Sequence, residues 1–187
     1  MNKLENGTIL YHGSYCVVDK IDLSKCHYGK DFGKGFYLTT SYEQAKKFVK
    51  LSVKNAFNIG RLEEAREFGY INSYELCFYE RINEYDFQEA DVEWLHFVAG
   101  NRSQELFGDL IKEFEKYNVI GGKIANDRTA ATLNQYLNGT FGTPGDKAAD
   151  DIAISLLLPN RLENQYCFRN ADAIGCLRFQ KAEEVRV

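Results

Sequence analysis

Phe36-Tyr37-Leu38-Thr39-Thr40-Ser41-Tyr42-Glu43 is where the chain changes its period, and that change decides the fold class. Phe36 to Thr39 is a compact apolar run suited to a strand, and it leads straight into a helix start. Thr40 stands at the capping position, with Glu43 three residues on to complete a capping box. Beyond it Ala45, Phe48, Val49 and Val53 recur every three or four residues, with Lys46, Lys47, Lys50 and Lys54 outside them. That pattern is an amphipathic helix. Upstream, Ile9 to Ser14 reads as a short strand ending in a polar turn. Ile21 to Gly35 reads as a loop whose backbone freedom comes from Gly29, Gly33 and Gly35.

Further along, Arg61 to Glu67 is charged, weakly helical and on the surface. Ser73 to Tyr79 alternates as a strand, with Tyr74, Leu76 and Phe78 on one face. Val92 to Val98 predicts a short helix holding Trp94, Leu95 and Phe97. Leu106 to Tyr117 predicts another, with Leu110, Ile111 and Phe114 as its stripe. Asn118 to Lys123 reads as a buried strand with a glycine pair. Asp127 caps a helix that closes near Leu137, before Asn138-Gly139. After the Thr143-Pro144-Gly145 turn come a helix over Ala148 to Leu158, a strand over Gln165 to Phe168 and a short helix over Ala171 to Cys176. A last strand begins at Leu177. Strands and helices mix without regular βαβ spacing, so the expected class is α+β.

The 187 residues favour one domain, taken as 1–187. An aromatic fraction of 14% with a net charge of -4 excludes general disorder. With 23 basic against 27 acidic residues, the balance argues against a protein that lives on nucleic acid or an anionic membrane. The longest apolar run, Ile154 to Leu158, is too short to span a bilayer, and residues 1–7 hold no signal-peptide core. Cysteines 16, 26, 77, 167 and 176 form no CxxC pair and read as reduced thiols of a cytoplasmic protein. His12, His27 and His96 have no ligand spacing, so no metal is expected.

Chemistry concentrates in the first forty residues. His12 ends a strand and is followed by Gly13 and Ser14, which expose an imidazole, a nearly bare backbone and a hydroxyl together. A nucleotide there would use Gly13 and Gly35 backbone groups, the Ser14 hydroxyl and the rings of His12 and Tyr37. The competing reading makes His12 a structural, hydrogen-bonded histidine. Glu89, Asp91 and Glu93 read as a solvated acidic face, or as the source of a base for an acceptor.

Leu10-Tyr11-His12-Gly13-Ser14 and Asp31-Phe32-Gly33-Lys34-Gly35-Phe36-Tyr37-Leu38-Thr39-Thr40 resemble the first two signature motifs of the ADP-ribosyltransferase superfamily, in its diphtheria-toxin and poly(ADP-ribose)-polymerase-like branch. The chain also resembles a bacterial family of that kind through Trp94 to Val98, Ile120 to Arg128 and Asn164 to Phe168. The likeness spans about Leu10 to Phe179. It implies a split β-sheet core with peripheral helices, NAD as co-substrate without a metal, and transfer of one ADP-ribose to a protein or nucleic-acid acceptor. In that scheme His12 bonds the adenine-side ribose, the Gly13 backbone holds the nicotinamide amide, and Tyr37 stacks on nicotinamide.

Gln165 stands where the superfamily normally has a Glu. An amide offers a dipole where a carboxylate offers charge, so chain elongation is not expected. NAD glycohydrolysis and NAD binding without turnover stand as alternatives. An RNA 2'-phosphotransferase relation is a smaller rival, set back by the acidic balance. Asp127 and Arg128 read as a helix cap with a local ion pair, or as groups near the pyrophosphate or acceptor at a helix start. The resemblance further implies an intracellular bacterial toxin with a small neutralising, antitoxin-like partner. On this reading Tyr37→Phe is mild and Gln165→Glu is tolerated.

Overall fold

Hydrophobic alternation and glycine placement produce two sheets that lie against each other. The computed structural model describes residues 4–103, 105–123, 127–157 and 163–186, the side chains of Asp127 and Arg128 apart. In chain order the elements are β1 (Ile9–Ser14), β2 (Phe36–Leu38), α1 (Tyr42–Asn58), β3 (Phe68–Leu76), β4 (Glu84–Asp86), α2 (Val92–Ser103) and α3 (Gly108–Glu113). They continue with β5 (Val119–Lys123), α4 (Asp127–Leu137), α5 (Lys147–Leu157), β6 (Asn164–Phe168), α6 (Ala171–Gly175) and β7 (Leu177–Arg186). One sheet has the order β1-β3-β7 and is antiparallel; the other has the order β2-β6-β5-β4, with β4 parallel to β5. The sheets touch through an isolated bridge, Tyr11 to Thr39, closed by N–H···O bonds of 2.8 and 3.0 Å.

Three apolar clusters define four layers. Ala45, Val49, Val53 and Ala56 of α1 pack on Ile71 and Val185 of the first sheet. Leu10, Tyr74 and Leu76 of that sheet meet Phe36, Leu38, Val119, Tyr166 and Phe168 of the second. The far face of the second sheet, with Ile120 and Cys167, is covered by Trp94, Phe97, Leu133, Tyr136, Ala153 and Leu157 from α2, α4 and α5. The result is a mixed α+β architecture of two sheets with peripheral helices. Among the described residues no helix is long and apolar enough to cross a membrane.

Several local expectations change. The strand expected over Ser73 to Tyr79 is β3, which starts at Phe68 because β7 pairs with it from Phe68↔Arg186 to Leu76↔Leu177. Phe78 leaves it in a left-handed turn, φ 58°, and is exposed rather than aligned with Tyr74 and Leu76. Ser41, not Thr40, caps α1 by accepting from Gln44 N–H at 3.2 Å. Phe48, expected in the buried stripe, is 44% exposed, and Ala56 completes the stripe instead. The helix expected over Leu106 to Tyr117 is interrupted: Phe107 is left-handed, φ 56°, before α3, and a 3-10 turn over Phe114–Lys116 follows.

Candidate functional site

His12 occupies the place where the two sheets part. Alternation along β1 sends Leu10 and His12 toward the second sheet and Gly13 toward α1. The α1 backbone comes so close that a Cβ on Gly13 would stand 2.1 Å from the Ala45 carbonyl oxygen. Packing therefore demands this glycine whatever it binds. The Ser14 hydroxyl accepts the Cys16 N–H at 3.4 Å and lies 3.7 Å from Cys16 Sγ, so it closes a local turn.

His12 Nδ1 lies 2.9 Å from the Tyr37 carbonyl oxygen. A carbonyl only accepts, so Nδ1 carries the proton and Nε2 presents a lone pair. Burial holds the imidazole below its ordinary pKa of 6.5, against the opposing pull of the Tyr37 carbonyl. The ring is therefore neutral at pH 7. It also packs on Phe36, with ring centroids 4.4 Å apart. His12 thus binds the edge of β2 that faces β1, where a neighbouring strand would otherwise bond.

Tyr37 points to the other side of β2, into the cluster beneath α2, while Phe36 joins the cluster between the sheets. The rings of His12 and Tyr37 therefore flank β2 instead of facing each other. The Tyr37 hydroxyl donates to the Gly33 carbonyl at 2.6 Å and accepts the Phe32 N–H at 3.0 Å. Burial raises its pKa well above the ordinary tyrosine value, which keeps the proton on the donor. Gly33 needs its glycine: φ is +80°, and a Cβ would meet Asn101 Oδ1 at 2.8 Å. Gly35 lets β6 approach, since a Cβ there would lie 2.4 Å from Cys167 Sγ. Cys167 itself is fully buried and its pKa is pushed up to about 12 by that burial, so the thiol is inert.

Register places Tyr37 opposite Cys167, and Gln165, two residues earlier on β6, shares their face. Gln165 is only 7% exposed. Its Nε2 lies 3.5 Å from Asp31 Oδ2, a long hydrogen bond. Arg102 of α2 places Nη2 at 2.6 Å and Nε at 2.9 Å from Asp31 Oδ1. Sequence reasoning quoted Asp31 within a motif without giving it a role, and it passed over Arg102. The Asp31 signal was its place beside the glycines; Arg102 carried none, because its partner is 71 residues away.

The remaining candidates scatter. Asn126 lies outside the described residues, as do the side chains of Asp127 and Arg128, the first two residues of α4. The acidic run is structural at two of its three members: Asp91 accepts the Trp94 N–H at 2.9 Å, and Glu93 accepts from the Tyr85 hydroxyl. Arg169 donates to the Phe114 carbonyl at 2.6 Å. A network outside the expected site joins three helices. His96 Nε2 lies 2.8 Å from Asp150 Oδ2, Tyr136 donates to Asp150 Oδ1 at 2.5 Å, and the Gly145 N–H donates to the Tyr136 oxygen at 2.8 Å. An open depression of about 570 Å³, bordered by Leu4, Asn6, Tyr79, Asn83 and Tyr117, shares no residue with the His12, Tyr37 and Gln165 group.

The group around β2 offers a neutral imidazole acceptor, a half-buried aromatic ring and a polar buried amide backed by a carboxylate–guanidinium pair. An imidazole nitrogen and an amide can hold hydroxyls and an aromatic face can hold a planar ring, and the His12 ring lies across β2 from the other two. No curated protein matches the chain. The family model described as "Protein of unknown function (DUF3990)" matches residues 8–179, and the chain therefore belongs to the DUF3990 family.

Proposed function

We propose that the chain is an NAD-dependent mono-ADP-ribosyltransferase built on an ADP-ribosyltransferase-like split-sheet core. The observation that carries this reading is the neutral His12 ring, held by the Tyr37 carbonyl at 2.9 Å where β1 and β2 part. The two sequence motifs that resemble the superfamily thus meet through this contact and through the Tyr11–Thr39 bridge beside it. A neutral Nε2 accepts a ribose O–H, which a charged ring would not do.

In the reaction the C1'–N bond of NAD breaks, and its electron pair neutralises the departing nicotinamide nitrogen. The acceptor's nucleophile bonds C1' and gives its proton to solvent or a base. Gln165 would take a ribose hydroxyl and direct its amide oxygen dipole at the developing positive charge. The resemblance extends the reading to a macromolecular acceptor, a cytoplasmic bacterial setting and a small neutralising protein partner.

One observation favours a second reading, NAD binding without turnover: Gln165 is buried beneath the loop that carries Asp31. Purified protein incubated with NAD and bacterial lysate separates the two. Free nicotinamide together with mass additions on the order of half a kilodalton, one ADP-ribose each, supports transfer. Nicotinamide without added mass points to a glycohydrolase. Bound NAD with no nicotinamide assigns the binder.

A further inference from the structure

We propose that Asp31 is the positioning residue that lets an amide serve at position 165, by accepting the Gln165 Nε2–H and turning Oε1 toward the ribose. This inference rests on the NAD reading above. A glutamine amide has a donor end and an acceptor end, and its orientation follows its neighbours. Asp31 Oδ2 lies 3.5 Å from Nε2. The reversed amide would set a partly negative oxygen against a carboxylate, so the nitrogen faces Asp31. The oxygen is then the end that accepts, which is the hydrogen-bonding role of a carboxylate without its charge.

The two Asp31 oxygens divide the work. Arg102 directs both Nη2 and Nε at Oδ1, at 2.6 and 2.9 Å, and the Gln165 contact is made by Oδ2. The guanidinium thereby orients the carboxyl group and balances its charge. The neighbouring backbone is pinned as well, because the Tyr37 hydroxyl bonds Phe32 N–H and the Gly33 carbonyl. Asp31 does not touch the substrate in this arrangement; it acts through Gln165. A consequence follows for Gln165→Glu: alone, it sets two carboxylates about 3.5 Å apart, where like charges disfavour ionisation of both.

The test moves the charge across the pair. Wild type, Asp31→Asn, Gln165→Glu and Asp31→Asn/Gln165→Glu are compared for melting temperature, NAD affinity by calorimetry and nicotinamide release. Each single substitution should lower kcat by roughly 10- to 100-fold with KM for NAD within about threefold, the pattern of a contact made mainly in the transition state. The double variant, which carries amide and carboxylate in swapped places, should return to within about threefold of wild type. Losses that simply multiply in the double variant would overturn the proposal, as would a wild-type rate in Asp31→Asn.

Where a single variant fails to fold, a double variant with wild-type melting upholds the pairing and an unfolded one overturns it. Wild type that binds NAD without releasing nicotinamide removes the transferase reading alone. The pairing is then decided by melting temperature: recovery in the double variant upholds it, and additive loss overturns it.

Discussion

The Tyr37 hydroxyl donates to the Gly33 carbonyl at 2.6 Å, so the strand that carries the ring also fastens the loop that precedes it. The same oxygen accepts the Phe32 N–H. Tyr37→Phe is therefore not the mild change that ring stacking alone implies. It leaves a buried N–H and C=O without their partner and should cost about 1–3 kcal/mol in urea unfolding. Hydrogen exchange at the Phe32 amide should accelerate in parallel. Unchanged stability and exchange would mean that the loop holds itself.

Stability should depend on His12 through pH. Burial depresses its folded pKa below 6.5, so protonation favours the unfolded chain. The contribution is fully present above the unfolded pKa of about 6.5 and is lost as pH falls through it toward the folded value. His12→Gln keeps a side-chain N–H for the Tyr37 carbonyl and removes the titration. Urea midpoints across mildly acidic to neutral pH should fall less steeply in His12→Gln than in wild type. Parallel curves would show that His12 titrates as it does in the unfolded chain.

His12→Ala addresses binding. Losing one hydrogen bond to a desolvated ribose hydroxyl should weaken NAD by roughly fivefold to a hundredfold in a folded variant, read by calorimetry. Equal affinity for wild type and His12→Ala would remove His12 from the binding site.

Gly13→Ala tests how far packing governs the first motif. The added methyl carbon would stand 2.1 Å from a helix carbonyl that has no side-chain freedom to retreat. Loss above the usual overpacking range of about 1–3 kcal/mol is expected. Gly175, where a Cβ meets nothing within 4 Å, gives the control substitution to Ala with little effect. A stable Gly13→Ala variant with impaired NAD binding would instead make the glycine a ligand contact first and a packing residue second.

Asp150 holds the helical layer together by accepting from Tyr136 and the Gly145 N–H and by pairing with His96. Asp150→Ala should cost about 1–3 kcal/mol for each group left unsatisfied, because a ring N and a buried hydroxyl lose a shared partner. Denaturation that leaves the Asp31–Arg102 pair and nicotinamide release unaffected below the transition would separate this network from the candidate site.

What the sequence made legible was local and periodic. The β2-to-α1 passage was readable because a compact apolar run gives way to a helical repeat within six residues, Phe36 to Ser41. The pairing of His12 with the Tyr37 carbonyl was not readable, since it depends on how two strands approach across a sheet boundary. Asp31, Arg102 and Gln165 come from a loop, a helix and a late strand, and no spacing rule links them. β4 was missed because three residues, Glu84–Asp86, are too few to show alternation; its partner β5 creates it. Phe48 misled for a different reason: its helical spacing is right, yet it falls beyond the edge of the face that meets the first sheet.

β7 is ten residues long and lies at the rim of its sheet, and among the described residues no strand pairs with its outer edge. A row of that length is a template for another chain's backbone, and aggregation is the usual result. Arg178, Lys181, Glu183, Glu184 and Arg186 are all exposed along it. Bringing a second strand alongside would strip water from several charges of mixed sign, so they act as gatekeepers of colloidal behaviour. Replacing Lys181 and Glu183 together by Val should leave the register with β3 intact while light scattering rises with protein concentration.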